Sequence, residues 1–293
     1  MTPQQKKLTI IVPCYNEKSA IAETVSQLSA VLEKIGSGEL IIVNDGSDDG
    51  SEQTLQDLAQ EYACLKVIHH EENRGYGASL KTGIRRAEGN VIAITDADGT
   101  YPNQRIPELL HLMADADMVV GSRTGDNVDY SPIRKIPKFF LRRYCQWITG
   151  RRIPDMNSGL RIFRKDVAER FLHVLPNSFS FTTTITMAML SNDYVVHFEP
   201  IDYSQRIGKS KIKPVRDTLR FMQLILRTGM YFAPLRAFAP LIGLLGLIFC
   251  LSAAYDVFIN ENLTDKTLIF LMLTLNLGLF ALIADVIDKR ASR

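Results

Sequence analysis

The chain has 293 residues, 34 Lys and Arg against 32 Asp and Glu, a net charge of +2, and 46% hydrophobic residues. That length supports one sizeable domain with appended helices, and the near-balanced charge, without a basic stripe interleaved with aromatics, excludes a nucleic-acid binder. Four scattered cysteines (Cys14, Cys64, Cys145, Cys250) with no CxxC pair exclude a disulfide scaffold and read as reduced thiols.

The first 121 residues alternate between two hydrophobic periods. Short apolar runs at Leu8–Pro13, Glu39–Asn44, Leu65–His69, Val91–Thr95 and Met118–Gly121 predict five strands. Between them, Ile21, Val25, Leu28 and Leu32 recur at helical spacing, as do Leu55, Leu58, Ala59 and Tyr62. A helix over about 76–87 and a face of Ile106, Leu109, Leu110 and Met113 follow. Strands alternating with helices, and apolar on both faces, predict an α/β fold with a doubly wound, mostly parallel sheet. Ligands on such sheets sit beyond the carboxyl ends of the strands.

After Gly121 the alternation breaks. Residues 122–154 are irregular and basic, with an amphipathic piece over 139–150, and a mixed section runs to about Gln205. Residues 215–238 interleave apolar side chains with spaced arginines, which predicts an interfacial helix lying on a bilayer; a helix packed on the main domain is the competing reading. Ala237–Tyr255 and Thr267–Ala284 contain no charged residue and match the roughly 20 helical residues that cross a bilayer core. The expected division is therefore a main domain over 1–213, an interfacial helix over 214–236 and a transmembrane hairpin over 237–288, with spans at about 237–257 and 267–287. Asn276, the strongly polar side chain in mid-span, is expected to face the partner helix. Basic residues concentrate before and after the hairpin, so the positive-inside rule puts the main domain and the C-terminus in the cytoplasm.

Polar groups follow every predicted strand: Pro13-Cys14-Tyr15-Asn16-Glu17, Asn44-Asp45-Gly46-Ser47, Asn73-Arg74-Gly75, Asp96-Ala97-Asp98-Gly99 and Gly121-Ser122-Arg123. Any one could be ordinary turn chemistry, but five converge on one sheet edge. Asp96 and Asp98, two apart at a strand end, can approach one hard divalent cation, Mg²⁺ or Mn²⁺, which takes one or two carboxylates plus substrate phosphates. Asp45 could receive the hydroxyls or N–H of a nucleoside. The five histidines show no metal-ligand spacing.

These motifs, from Ile11-Val12-Pro13-Cys14-Tyr15-Asn16-Glu17 through Asp96-Ala97-Asp98, resemble the family 2 glycosyltransferases of GT-A fold. Gly121-Ser122-Arg123, Asp155-Met156-Asn157-Ser158-Gly159-Leu160-Arg161 and Arg206-Ile207-Gly208-Lys209-Ser210-Lys211 resemble the branch typified by dolichol-phosphate mannose synthase, which includes polyprenyl-phosphate glycosyltransferases. The resemblance covers about residues 8–213, and a two-span tail recurs in that branch. It implies that Pro13, Tyr15, Asn16, Glu17, Asp45 and Ser47 hold the nucleoside of a sugar nucleotide. Asp96, Ala97 and Asp98 hold the metal and diphosphate, with Asp96 and Asp98 as the ligands. Arg123, Arg134, Arg206 and Lys209 meet phosphates, and Ser158 sits near the acceptor phosphate; Asp98, Arg123, Arg206 and Ser158 form the catalytic set. Two departures stand out. Thr182, Thr183 and Thr184 occupy a segment where the family often has carboxylates, and Gly99-Thr100 follows the acidic motif where many relatives carry a longer polar side chain.

The implied reaction is inverting transfer of a hexose from a UDP- or GDP-sugar to a polyprenyl phosphate, undecaprenyl or dolichyl. Such an acceptor needs no general base, because a phosphate monoester with a second pKa near ~6 is mostly ionised at neutral pH. The competing readings are a glycosyltransferase with a hydroxyl acceptor and a membrane-anchored nucleotide-sugar-binding protein. A processive polysaccharide synthase is disfavoured, since Cys145-Gln146-Trp147 does not fit its QxxRW pattern. Two short spans leave a second copy or a flippase open as a membrane partner.

Overall fold

A computed structural model describes residues 7–124, 142–203 and 229–291. The alternation resolves into β1 (Leu8–Cys14), α1 (Lys18–Ile35), β2 (Gly38–Asp45), α2 (Ser51–Glu61), β3 (Leu65–His70), α3 (Tyr76–Arg86), β4 (Val91–Ile94), α4 (Ile106–His111) and β5 (Met118–Ser122). Then come helix α5 (142–149), β6 (Arg161–Arg164), α6 (Lys165–Phe171), α7 (Phe181–Ser191) and β7 (Val196–Pro200). The seven strands form one sheet in the order β3-β2-β1-β4-β6-β5-β7.

Alternation along β1 explains the two cores. Leu8, Ile10 and Val12 point to one face and pack with Ile21, Val25 and Leu28 of α1 and Leu109 of α4. Ile11 points to the other, with Leu80 and Ile84 of α3 and Phe181 and Ile185 of α7. Successive strand side chains alternate faces while helix side chains recur every three or four residues, so one chain supplies both layers.

The expected parallel sheet is observed with one exception. β1 pairs in parallel with β2 and β4, and β2 with β3, but β6 is antiparallel to both β4 and β5. This reversal matters for the site. An antiparallel strand inserted between β4 and β5 begins at the edge where those two end. Arg161, the first residue of β6, is in register with Ile94 and Val120. The loop Asp155–Leu160 is thereby delivered between the residues that follow β4 and β5.

Two C-terminal helices, Pro234–Tyr255 and Asp265–Ala291, pack on one another. By length and composition both can cross a membrane: Pro234–Asn260 and Asp265–Ile287 have mean hydropathies of 2.2 and 2.3, and almost none of their most apolar stretches is buried in the protein. The first helix begins before the expected Ala237. Most of the expected interfacial helix, and the 213/214 boundary, lie outside the described residues; 229–232 is helical and 234–236 already belongs to the first apolar helix.

Asn276 does not face the partner helix as expected; it is exposed. Small residues occupy the crossing instead, with Gly246 opposite Thr274 and Ala281 buried, because close backbone approach favours small side chains over an amide. The tip of the hairpin is organised by buried Asp256, whose carboxylate accepts from Thr264 N at 2.8 Å, Thr267 Oγ1 at 2.7 Å and Asn260 Nδ2 at 2.9 Å.

Candidate active site

The residues after β1 and β2 are clasped together. Asn16 adopts a left-handed φ of 55°. Its backbone N–H donates to Ser47 Oγ at 3.0 Å, its side-chain Nδ2 donates to Asp48 Oδ1 at 2.6 Å, and its side-chain Oδ1 accepts from Asp48 N at 2.9 Å. Asn16 and Ser47 thus fasten two loops, while Pro13, Tyr15 and Glu17 lie half-buried beside them.

Asp45 is buried at the end of β2. It accepts from Arg74 N at 3.0 Å and Gly75 N at 2.8 Å and pairs with His70 Nδ1 at 2.6 Å. In this arrangement the carboxylate shapes the Asn73–Gly75 turn and so sets the start of α3. His70, dismissed on spacing, belongs to this arrangement; the signal available in the sequence was that Asp45 and His70 end two neighbouring strands.

Asp96 follows β4. Tyr76, the first residue of α3, donates its hydroxyl to Asp96 Oδ1 at 3.0 Å and stacks on Phe179, with ring centroids 5.4 Å apart. Burial first, and the Asp96 charge second, push the Tyr76 phenol well above its ordinary range, so it stays a donor. Gly159 lies against the same carboxylate: a Cβ there would sit 2.7 Å from either Asp96 oxygen. Tyr101 Oη accepts from Gly159 N at 2.6 Å and holds the glycine in place. Ala97 is buried, and its carbonyl accepts from Thr24 of α1 at 3.1 Å. Asp98, nearly buried, accepts from Thr100 N at 3.2 Å and Thr100 Oγ1 at 2.7 Å. The small Gly99-Thr100 pair therefore folds back on the acidic motif.

Arg123, just past β5, forms a bidentate pair with Asp155, Nε to Oδ2 at 2.8 Å and Nη2 to Oδ1 at 3.0 Å, and its guanidinium lies 5.3 Å from the centroid of the Tyr203 ring. Burial pushes the Asp155 carboxyl up, but the Arg123 hydrogen bonds and charge outweigh it and hold the group below the usual carboxylate range. Ser158, expected near an acceptor phosphate, is fully buried, and its hydroxyl donates to the Gly121 carbonyl; it ties the Asp155–Leu160 loop to β5.

Arg161 was quoted only as part of a motif, yet it is the largest fully buried side chain, with 0% exposure. Its guanidinium donates to Ser158 O at 2.7 Å, Thr182 O at 2.8 Å, Thr186 Oγ1 at 2.8 Å and Met156 O at 3.3 Å, all neutral oxygens. Burial lowers its pKa to about 10, opposed by the nearby Tyr76, Asp155 and Tyr101, so it is a cation at neutral pH. Of the threonines, Thr183 donates its hydroxyl to Asn157 Oδ1 at 2.7 Å, while Thr182 accepts from Arg161 only through its backbone carbonyl. Arg134, Arg206 and Lys209 lie outside the described residues.

The donor set fits a hard divalent cation. Two carboxylates stand at one strand end, and Gly159 brings no side chain of its own against Asp96. Among the described residues no group of three or more His, Cys, Asp and Glu converges, so the remaining ligands would be substrate phosphates and water.

The fold, with acidic and aromatic groups gathered at the carboxyl edge of an α/β sheet, is that of a GT-A glycosyltransferase. Residues 9–172, more than half of the chain, match the family model described as glycosyl transferase family 2, and the chain belongs to that family. It is 26% identical over 249 residues to the low-salt glycan biosynthesis hexosyltransferase Agl6 of Haloferax volcanii, covering 82% of this chain but only 59% of that relative. It is 29% identical over 260 residues to the undecaprenyl-phosphate 4-deoxy-4-formamido-L-arabinose transferase of Pseudomonas syringae, covering 83% of this chain and 72% of that one. Among solved structures, glucosyl-3-phosphoglycerate synthase from Mycobacterium tuberculosis, in complex with Mn²⁺, UDP and phosphoglyceric acid, superposes with a TM-score of 0.60 at 13% identity, over 76% of this chain and 78% of that one. The first 349 residues of S. aureus TarS, in complex with UDP-GlcNAc, give 0.53 at 20% identity, over 76% and 66%.

Proposed function

We propose that the chain is an inverting polyprenyl-phosphate glycosyltransferase, moving a hexose from a UDP- or GDP-sugar to undecaprenyl or dolichyl phosphate. The observation that carries this reading is the Asp96–Asp98 pair at a GT-A sheet edge on a chain that also holds two helices apolar enough to cross a bilayer. The names of relatives such as the undecaprenyl-phosphate transferase support the same acceptor class.

In this reading the loops after β1 and β2 receive the nucleoside through Pro13, Tyr15 and Glu17, while Asn16, Ser47 and Asp45 hold those loops in shape. Asp96 and Asp98 would hold Mg²⁺ or Mn²⁺, which when bound supplies charge neutralisation for the diphosphate leaving group. Tyr76 orients Asp96, and Gly159 leaves room beside it. The acceptor phosphate is already ionised and attacks the anomeric carbon without a base. What it needs is positive charge: buried Arg161, whose partners are neutral oxygens, contributes through its field, the Arg123 charge is shared with Asp155, and Arg206 and Lys209 are assigned by resemblance. The helices keep the site at the headgroup layer and raise the effective concentration of a lipid acceptor. The excess of basic residues flanking the hairpin supports a cytoplasmic site and C-terminus.

The test is transfer of radiolabelled sugar from a panel of UDP- and GDP-sugars to membranes supplied with undecaprenyl or dolichyl phosphate, with and without Mg²⁺ or Mn²⁺. An organic-soluble, acid-labile product lost in Asp98→Ala is expected. Donor binding without a lipid product from any pair would replace this reading with a hydroxyl acceptor or a binding protein.

A further inference from the structure

Where the catalytic domain meets the first apolar helix, there is a cleft of about 850 Å³ lined by Arg142, Arg143, Trp147, Arg151, Arg152 and Arg236. Arg142, Arg143 and Trp147 lie on α5, with Arg143 and Trp147 one turn apart. Arg151 and Arg152 follow at the C-terminal end of that helix, and Arg236 lies in the first turn of the Pro234–Tyr255 helix. The two helices are tied across the cleft. Trp147 Nε1 donates to the Arg236 carbonyl at 3.1 Å, and Arg236 Nη1 donates to the Ile148 carbonyl at 2.8 Å, where a cation suits a helix C-terminus.

Among the described residues, the one carboxylate within salt-bridge distance of these arginines is Asp193, 3.8 Å from Arg151 and 91% exposed. Of the catalytic groups within the described residues, none lines the cleft.

We infer that the cleft binds the phosphate headgroup of an anionic phospholipid of the host bilayer, docking the catalytic domain against the membrane surface. Three observations favour that occupant. Arg236 sits five residues before exposed Leu241 on a helix whose most apolar stretch is not buried in the protein, a rise of roughly 7–8 Å, which puts the guanidinium at headgroup height when the helix crosses the bilayer. Trp147 is 55% exposed, and Tyr231 near the foot of the same helix is also exposed; amphipathic aromatics collect at that level. Several cations beside an apolar helix form the kind of basic pocket that takes lipid headgroups, on the side that the proposed function assigns to the cytoplasm. The inference does not rest on the identity of the sugar acceptor.

Trp147 is the single tryptophan of the chain, so in nanodiscs bounded by a tryptophan-free polymer, with excitation beyond tyrosine absorption, its fluorescence reports the cleft. The full chain is reconstituted into nanodiscs containing brominated phosphatidylglycerol or, at equal mole fraction, brominated phosphatidylcholine, and quenching of Trp147 is measured. Quenching by the anionic lipid is expected to be ~3- to 5-fold steeper and to weaken with added salt. In the triple variant Arg143→Gln, Arg151→Gln, Arg152→Gln the preference should vanish, with the unquenched emission maximum unchanged; Arg236 is left intact because it holds α5. Equal quenching by the two lipids overturns the inference, as does a preference that survives the triple variant. Relief of quenching by stoichiometric polyprenyl phosphate, but not by excess unlabelled phosphatidylglycerol, overturns it too and gives the cleft to the acceptor.

Discussion

At the residue scale, the Asp96 carboxylate is the group on which most of the site's geometry closes, held by the Tyr76 hydroxyl and left uncrowded by Gly159. Tyr76→Phe removes one hydrogen bond to a charged acceptor, about 1.5–3 kcal/mol. Transfer should fall ~10- to 100-fold without loss of folding, measured as kcat/KM across a metal titration. Gly159→Ala places a methyl 2.7 Å from both Asp96 oxygens; it should abolish metal-dependent transfer while the thermal melt stays near wild type. Burial raises the thiols of Cys14 and Cys145 to about 12, and thiolate is the nucleophilic form. Mass spectrometry after maleimide treatment at neutral pH should find both unmodified in the folded protein; rapid labelling of either would contradict the buried placement.

At the scale of elements, β5 is joined to the loop before β6 by the Arg123–Asp155 pair, whose side chains are 13% and 11% exposed. Arg123→Gln removes the ion-pair partner of a largely buried carboxylate that keeps its backbone donors, Arg123 N and Asn157 N, and should cost about 3 kcal/mol at most at neutral pH. The sign of its pH dependence follows from Asp155, whose folded pKa lies below its ordinary value. The pair's contribution is complete above about pH 4 and is lost as pH falls through the lowered pKa. Denaturant unfolding of wild type and variant should therefore converge in acid; a constant gap would assign the loss to packing. A second junction lies where α3 meets the 176–178 segment. Gly77 N donates to Asn177 O at 2.9 Å, and a Cβ on Gly77 would meet Pro176 O at 2.1 Å. Gly77→Ala should destabilise the domain by about 1–3 kcal/mol and loosen Tyr76 with it.

On the scale of the whole molecule, the chain combines a GT-A sheet with two apolar helices fastened to it through Trp147 and Arg236. The proposed membrane hairpin predicts that a cysteine introduced at Asn262, in the loop between the apolar helices, reacts with a membrane-impermeant maleimide only from the face opposite the catalytic domain. Labelling of that cysteine from the face that holds the catalytic domain would exclude the hairpin.

Hydrophobic period carried the strands, the helices and the apolar hairpin, because burial of a strand or helix face imposes a local repeat that is written in neighbouring residues. The acidic and glycine motifs after each strand were legible for the same reason: strand ends are local, and the fold class fixes which edge they share. The antiparallel insertion of β6 was not legible, since strand direction depends on pairing between distant segments. With it came the approach of Gly159 to Asp96, the inward turn of Ser158 and the burial of Arg161, whose neutral partners are spread from Met156 to Thr186. Asn276 followed the same rule: its polarity could be read along the chain, but the face it occupies was decided by which small residues let the two helices approach. The arginine cleft likewise exists only because a helix near residue 147 and one near residue 236 are brought into contact, a long-range closure that no local pattern encodes.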